Sequence, residues 1–334
     1  MVKAKKFVYA KRFEGEPKLT DFKLVEEELP ALQDGEYLCE AQYLSVDPYM
    51  RAYMIRYPVG VTMIGAQIAK ILESKNPKFP VGKLVYGDFG WTSHSVVGPN
   101  KEGMMTQPYL LPDLGEIPPS YCLGALGMPG NTAYFGFLEI CQPKEGETVV
   151  ITGAAGAVGN QVGQIAKIKG CKVIGFAGSD AKCNWLKNDL GFDHAFNYKT
   201  VDAAKALKEA APNGVDCYFD NVGGDLSAII MNQMNVRGRI SVCGAISAYN
   251  ADVTKMTLAP IVQPILIFKE LKMEGFLVTR WLSRWMEGIQ QNAAWIGEGK
   301  LKVRETITDG FENIPQAFID MLRGANTGKA VVKC

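Results

Sequence analysis

The spacing of apolar positions changes character near residue 145. Before it, short runs at 6–10, 37–46, 66–72 and 83–89 cluster like β-strands and are separated by Gly, Pro and Asp. Residues 99–119 read as loop, and a helical spacing emerges around 132–140. After residue 145, strand-length runs alternate with helically spaced stretches. Strands are predicted at 149–151, 171–177, 194–197, 216–220, 239–243 and 271–279. Helices are predicted near 180–190, 201–211, 226–234 and 285–296. This alternation implies a parallel, doubly wound α/β sheet. The last stretch, 301–334, returns to β-like and mixed patterning and can rejoin the first domain, which makes that domain discontinuous.

The most informative stretch is VVITGAAGAVGNQVGQIAKIK, residues 149–169. Val149, Val150 and Ile151 are β-branched and uncharged, which suits a strand buried on both faces. Gly153, Gly156 and Gly159 crowd one turn, and Val158, Val162, Ile165 and Ile168 then follow helical spacing until Gly170. A glycine turn between strand and helix lets backbone approach a pyrophosphate, which the helix N-terminus attracts. In the G-x-G-x-x-G register the positions are Ala154, Gly156 and Gly159, so the first glycine is an alanine. The bland alternative is a tight turn with no ligand; the strand–turn–helix context favours a dinucleotide. Ligands in such a sheet lie at the carboxyl ends of the strands, here 153–159, 178–182, 221–224 and 243–249.

Composition narrows the classes. The chain has 334 residues, 47% hydrophobic and 21% charged, with a formal net charge of +1. No basic run beyond 3–6 and no aromatic–basic interleaving points to nucleic acid. The longest uncharged run, 258–268, is broken by prolines and too short to span a membrane. The eight cysteines contain no C-x-x-C pair, and several sit in apolar runs, which suggests reduced thiols in the cytoplasm.

NAD sites place an acidic residue about 20 residues beyond the glycine turn. Here the second strand ends at Gly178, followed by Ser179, Asp180, Ala181 and Lys182. Ser179 and Lys182 can hold a ribose 2′-phosphate and Asp180 can reach a ribose hydroxyl; Ser179 or Asp180 can instead cap the next helix, and for Asp180 capping is the favoured reading. Zinc dehydrogenases need closely spaced Cys and His ligands, yet before residue 141 there are only Cys39, Cys122 and His94. Without a metal to polarise a carbonyl, hydride transfer to the β-carbon of an activated alkene remains feasible. Its enolate oxygen then needs only a neutral hydrogen-bond donor such as tyrosine.

At this point the motifs resemble a known family, the zinc-free medium-chain reductases. The matching stretches are VDPYMR (46–51), ESKNPKFPVGKLV (73–85), GWTSHS (90–95) and GMPGNTAYFGFLEIC (127–141). GAAGAVG (153–159), CYFDNVGG (217–224), GRISVCGAISAYN (238–250) and GFENIPQAF (310–318) complete the set, which covers essentially the whole chain. In MIGAQIAK, Ala66 and Gln67 stand where zinc relatives carry their ligand and acid. The resemblance implies a Rossmann NADP-binding domain at 125–298 and a GroES-like substrate domain formed by 1–124 and 299–334.

It also implies functional residues. Gly156, Ala157, Val158 and Gly159 would meet the pyrophosphate, with Lys182 and Tyr198 at the 2′-phosphate. Asn221 would touch the cofactor, and Cys243, Gly244, Ala245, Ile246, Ser247, Ala248 and Tyr249 would flank its nicotinamide half. Thr132, Phe276, Leu277, Val278 and Asn326 would join them there. Tyr249 is the candidate donor to the substrate carbonyl, and Tyr49 and Arg56 are candidate pocket residues. Blander readings stand beside these: a packing role for Tyr249, a turn role for Tyr49, surface or structural ion pairs for Arg51 and Arg56, a structural His94, and an inert thiol at Cys243. The apolar segment 256–268 is either a mobile pocket wall or part of a subunit interface.

The activity implied is NADPH-dependent reduction of the C=C bond of lipid-derived enones and aldehydes, namely 15-oxo-prostaglandins and 2-alkenals. NADP-dependent oxidation of the leukotriene B4 12-hydroxyl is the other family activity. Homodimers are common in the family. The alternatives are a quinone reductase and a non-catalytic NADPH-binding protein.

Overall fold

The computed structural model describes residues 2–99, 106–251 and 260–334. The chain starts with β1 (Lys3–Tyr9), β2 (Phe22–Glu28) and β3 (Tyr37–Ser45), then a short helix, α1 (Tyr49–Tyr53). It continues through β4 (Gln67–Ser74), β5 (Leu84–Gly87), β6 (His94–Val97) and β7 (Tyr109–Leu110). Next come α2 (Met128–Phe135), β8 (Thr148–Thr152), α3 (Gly159–Ile168), β9 (Lys172–Ala177), α4 (Asp180–Asn188) and β10 (His194–Asn197). α5 (Ala203–Ala210), β11 (Val215–Asp220), α6 (Gly224–Asn232), β12 (Met234–Val242), α7 (Gln263–Phe268), β13 (Lys272–Gly275) and α8 (Trp285–Gly297) follow. The chain ends in β14 (Glu305–Asp309), α9 (Ile314–Leu322) and β15 (Lys329–Lys333).

The chain divides into two compact units, Met1–Gly124 with Glu305–Cys334, and Ala125–Arg304. The expected boundary at 298/299 thus moves to 304/305. Residues past α8 stay with the second unit because Leu301 is buried in its core and Lys302 exchanges backbone hydrogen bonds with the Gln164 amide at 2.7 and 3.0 Å.

The first unit is built on a mainly antiparallel sheet of order β14-β15-β3-β4-β5-β7, with β6 also on β3 and a separate β1–β2 pair. β15 runs antiparallel to β3, pairing Val331 with Ser45, so the C-terminal stretch does rejoin the first domain. An aromatic cluster fills the core: Trp91 stacks on Phe22 and meets Phe318 of α9 edge-on.

In the second unit all strands are parallel, in the order β10-β9-β8-β11-β12-β13. One core lies around Val149, Ile151 and Val173, another around Val150, Ile174 and Tyr218, because successive side chains of a doubly covered strand enter opposite layers. The order reverses between β8 and β11, the switch point at whose carboxyl ends doubly wound sheets bind their ligands.

Three short or half-exposed strands, β2, β6 and β7, escape the sequence reading. The helix expected around 132–140 is two segments, α2 and a π-helical turn, Gly136–Cys141. Of the segment 256–268, residues 256–259 lie outside the described residues, as do 100–105 of the expected loop; 260–268 carry α7.

Candidate nucleotide site

The site begins with the turn after β8. Gly153 takes φ +59°, a conformation that favours glycine. This explains the alanine in the fingerprint, since the turn's glycine duty falls on Gly153, one residue earlier. Ala154 instead donates its N–H to Phe176 O at 3.0 Å and packs its methyl group against Gly175, where an added Cβ would lie only 2.9 Å away. A Cβ on Gly159 would stand 2.4 Å from Gly153 O, and one on Gly156 3.2 Å from the same atom. No side chain caps α3. Gly156 N, Asn160 N and Gln161 N are held by backbone carbonyls of the turn itself, and no side-chain oxygen occupies the helix start, an arrangement that fits a pyrophosphate.

The next strand ends form a basic corner. β9 ends at Ala177 and leads into Gly178; β10 ends at Asn197 and leads into Tyr198 and Lys199. A Cβ built on Gly178 would lie 3.6 Å from both the Tyr198 hydroxyl and Lys199 Cε. Lys182 projects from the first turn of α4. Burial and then the neighbouring Lys199 charge lower its ammonium below the ordinary lysine range. Of the two expected cap residues the helix uses Ser179 and not Asp180. Ser179 is the N-cap, accepting from Lys182 N at 3.4 Å, while Asp180 opens the helix and accepts from Asn197 Nδ2 at 3.0 Å. Asp180 is therefore committed to holding the strand-end asparagine. Lys199 has no sequence signal beyond a lysine in a turn.

Asp220, at the end of β11, organises the opposite side. Its buried carboxylate accepts from Thr152 Oγ1 (3.1 Å), Val222 N (2.9 Å), Gly223 N (2.9 Å) and Ser227 Oγ (2.8 Å). Its carbonyl accepts from Cys243 N and Gly244 N, so one residue ties three strand ends together. The sequence reading missed it, although an Asp before Asn-Val-Gly-Gly is a turn-forming signal. Asn221 donates to Thr152 O at 2.7 Å and fixes the glycine turn from the side. The 243–249 loop carries a 3-10 turn, Ile246–Ala248, pinned by Ser247 N on Val222 O. Tyr249 folds back over the loop, its hydroxyl oxygen accepting from Ala245 N at 3.4 Å. Burial, then Asp220, pushes the Cys243 thiol up to about 12, which favours the inert-thiol reading.

Thr132 spends its hydroxyl proton on Met128 O at 2.7 Å. Phe276 packs its ring where a Gly136 Cβ would be, against Trp281. Leu277 is exposed and Val278 buried.

The remaining candidates lie in the first unit. Tyr49 meets Tyr53 edge-on, and burial followed by Asp47 and Asp88 raises its phenol well above the ordinary range. The Arg56 guanidinium lies 5.6 Å from the Tyr53 ring centroid. Arg51 is buried, donates to Gly15 O at 2.9 Å and lies over Phe13, which supports its structural reading. His94 bridges Ser93 and Glu40, which supports its structural reading as well. Asn326 donates to Gly328 O at 2.8 Å. Gln67 is buried and donates to Thr92 O at 2.9 Å. Unforeseen is Lys329, fully enclosed, whose ammonium meets Asp47 at 3.1 Å and Val46 O at 2.8 Å. Among the described residues no group of three or more His, Cys, Asp and Glu side chains could hold a metal ion. Nor is any helix among them long and apolar enough to cross a membrane.

A parallel sheet with a glycine turn at its switch point, in a chain that also folds a separate antiparallel unit, is the build of a medium-chain oxidoreductase. Family models agree: an N-terminal domain of oxidoreductase matches residues 5–105, and a zinc-binding dehydrogenase model matches 157–294. Prostaglandin reductase 1 of Bos taurus is 51% identical over 100% of both chains. The NADP(+)-dependent 2-alkenal reductase of Nicotiana tabacum is 42% identical, over 87% of this chain and 84% of its own. CurA of Vibrio vulnificus, solved in complex with NADPH, superposes with a TM-score of 0.90 at 39% identity over 98% of both chains. This chain belongs to the prostaglandin reductase 1 family of medium-chain reductases.

Proposed function

We propose that the chain is an NADPH-dependent reductase that saturates the C=C bond of α,β-unsaturated carbonyl compounds, among them 2-alkenals, enones and 15-oxo-prostaglandins. What carries the reading is a dinucleotide cradle with a basic ribose end, in a chain matched over its full length by a reductase of this kind. When bound, NADPH supplies the hydride. Gly156, Ala157, Val158 and Gly159 are assigned to its pyrophosphate, and Lys182 and Tyr198 to its 2′-phosphate. Asn221, the 243–249 loop, Thr132, 276–278 and Asn326 are assigned to the rest of the coenzyme.

Hydride arrival at the β-carbon places negative charge on the carbonyl oxygen. A phenol is neutral at pH 7 and lowers that charge's energy by donating a hydrogen bond, the role assigned to Tyr249. Water or a relay then protonates the α-carbon. Tyr49 and Arg56 are assigned to the substrate, Arg56 suiting a carboxylate-bearing chain. Two side assignments follow. β13 is the edge strand of its sheet, with Met273 and Leu277 exposed beside it, which suits pairing with a second copy in a homodimer. Eight free cysteines suit a cytoplasmic setting.

The test is NADPH consumption by purified protein against an alkenal, an enone, a 15-oxo-prostaglandin and a quinone, with NADH in parallel. Turnover of the conjugated carbonyls with NADPH is expected; turnover of the quinone alone contradicts the reading. Tyr249→Phe should lower kcat about 10²-fold or more with little change in NADPH affinity. An unchanged kcat removes Tyr249 from the reaction.

A further inference from the structure

We propose that Lys199 is a second cation for the ribose 2′-phosphate and shares with Lys182 the discrimination of NADPH from NADH; this rests on the NADPH reading above. Three observations converge on it. The side chains of Tyr198 and Lys199 both come to 3.6 Å of where a Cβ on Gly178, the small residue just past the end of β9, would be. At that strand tip NAD-preferring folds carry their ribose-binding acid, and Gly178 leaves the space open. Second, Lys182 is held below the ordinary lysine range by its burial and then by the charge of Lys199, which places the two ammonium groups near one another. The nearby carboxylate, Asp180, accepts from Asn197 Nδ2 at 3.0 Å. Third, Lys199 forms no ion pair among the described residues, and its backbone N–H is held by Asn197 Oδ1 at 3.2 Å, which sets the turn that presents it. Its ammonium lies 6.0 Å from the Tyr198 ring centroid.

Two like charges gathered at one strand tip repel each other, and a doubly charged anion between them relieves that repulsion while neutralising both. A phosphate monoester has the required charge and acceptor oxygens; a ribose hydroxyl does not. The two lysines differ in exposure. Lys182 is partly buried on a helix, whereas Lys199 is on the surface, so its contribution is the more salt-sensitive.

The experiment is a fluorescence titration of the full-length protein with NADPH and with NADH at low and high salt. It compares wild type, Lys199→Ala, Lys199→Arg and Lys182→Ala. Lys199→Ala should weaken NADPH roughly ten- to hundredfold. NADH should shift less than about twofold, which also shows that the variant is folded. Lys199→Arg should keep most of the preference, and salt should shrink the gap between wild type and Lys199→Ala. An unchanged NADPH affinity in Lys199→Ala, or an equal loss for both coenzymes, overturns the assignment while leaving the Lys182 role standing. A wild type with no preference for NADPH overturns the underlying reading as well.

Discussion

Gly159 sits under the tightest constraint in the nucleotide turn, and its substitution separates a binding turn from an ordinary one. Gly159→Ala drives a methyl group to 2.4 Å from Gly153 O, so turn or helix must shift. We expect a stability loss of about 1–3 kcal/mol in urea melts and a large loss of NADPH affinity. Cys243, with its thiol pushed up to about 12, should resist alkylation near neutral pH in the native protein. Thiol-specific labelling and mass spectrometry check this. Lys329→Met leaves Asp47 buried without its ammonium and should cost about 3–5 kcal/mol by denaturant melt. The glycine turn was legible in the sequence because its spacing and strand–turn–helix context mark it, whereas Tyr198 was offered only by the resemblance. Lys199, Asp220 and Lys329 were not legible, since each depends on groups distant in sequence. Gly153's takeover of the first-glycine duty needed the backbone angle.

At the scale of elements, the parallel strands were legible because burial on both faces makes them unbroken apolar runs, as in β8 and β9. β2 was not, since Phe22–Glu28 exposes most of its side chains and ends in three glutamates. Its partner is fixed only by pairing with β1. The turn before β8 is tied to β12 by Arg239, which grips Glu147 with both guanidinium nitrogens at 2.9 and 2.6 Å and donates to Cys141 O at 2.8 Å. Burial pushes the Glu147 carboxyl up, but the Arg239 hydrogen bond and charge and the Lys144 N–H outweigh it, and the carboxyl ends below the ordinary range. A lowered carboxyl stabilises the fold above the ordinary carboxylate range, and that contribution fades as pH falls through the folded value. Glu147→Gln should therefore be less stable than wild type near neutral pH by about 1–3 kcal/mol. The gap should narrow on acidification below the ordinary carboxylate range. Thermal melts across pH measure it, and a gap that widens in acid contradicts the pairing.

At the scale of the molecule, the change of periodicity near residue 145 announced two units, and the returning β-pattern at the C-terminus announced that one is discontinuous. The exact crossing, at 304/305, depended on the burial of Leu301, which no local pattern marks. If the edge of β13 pairs with a second copy, light scattering should give twice the mass of the 36.5 kDa chain. Glu substitution at Met273 should then return it to monomer. The central claim is that hydride goes to carbon in a conjugated system with a neutral donor at the carbonyl oxygen. It is tested most directly by turning over a 2-alkenal with NADPH deuterated at its transferable hydrogen and locating the label by NMR. The account predicts a saturated aldehyde with deuterium on the β-carbon. Deuterium on the carbonyl carbon of an allylic alcohol, or an alkenal left intact at saturating NADPH, would contradict it.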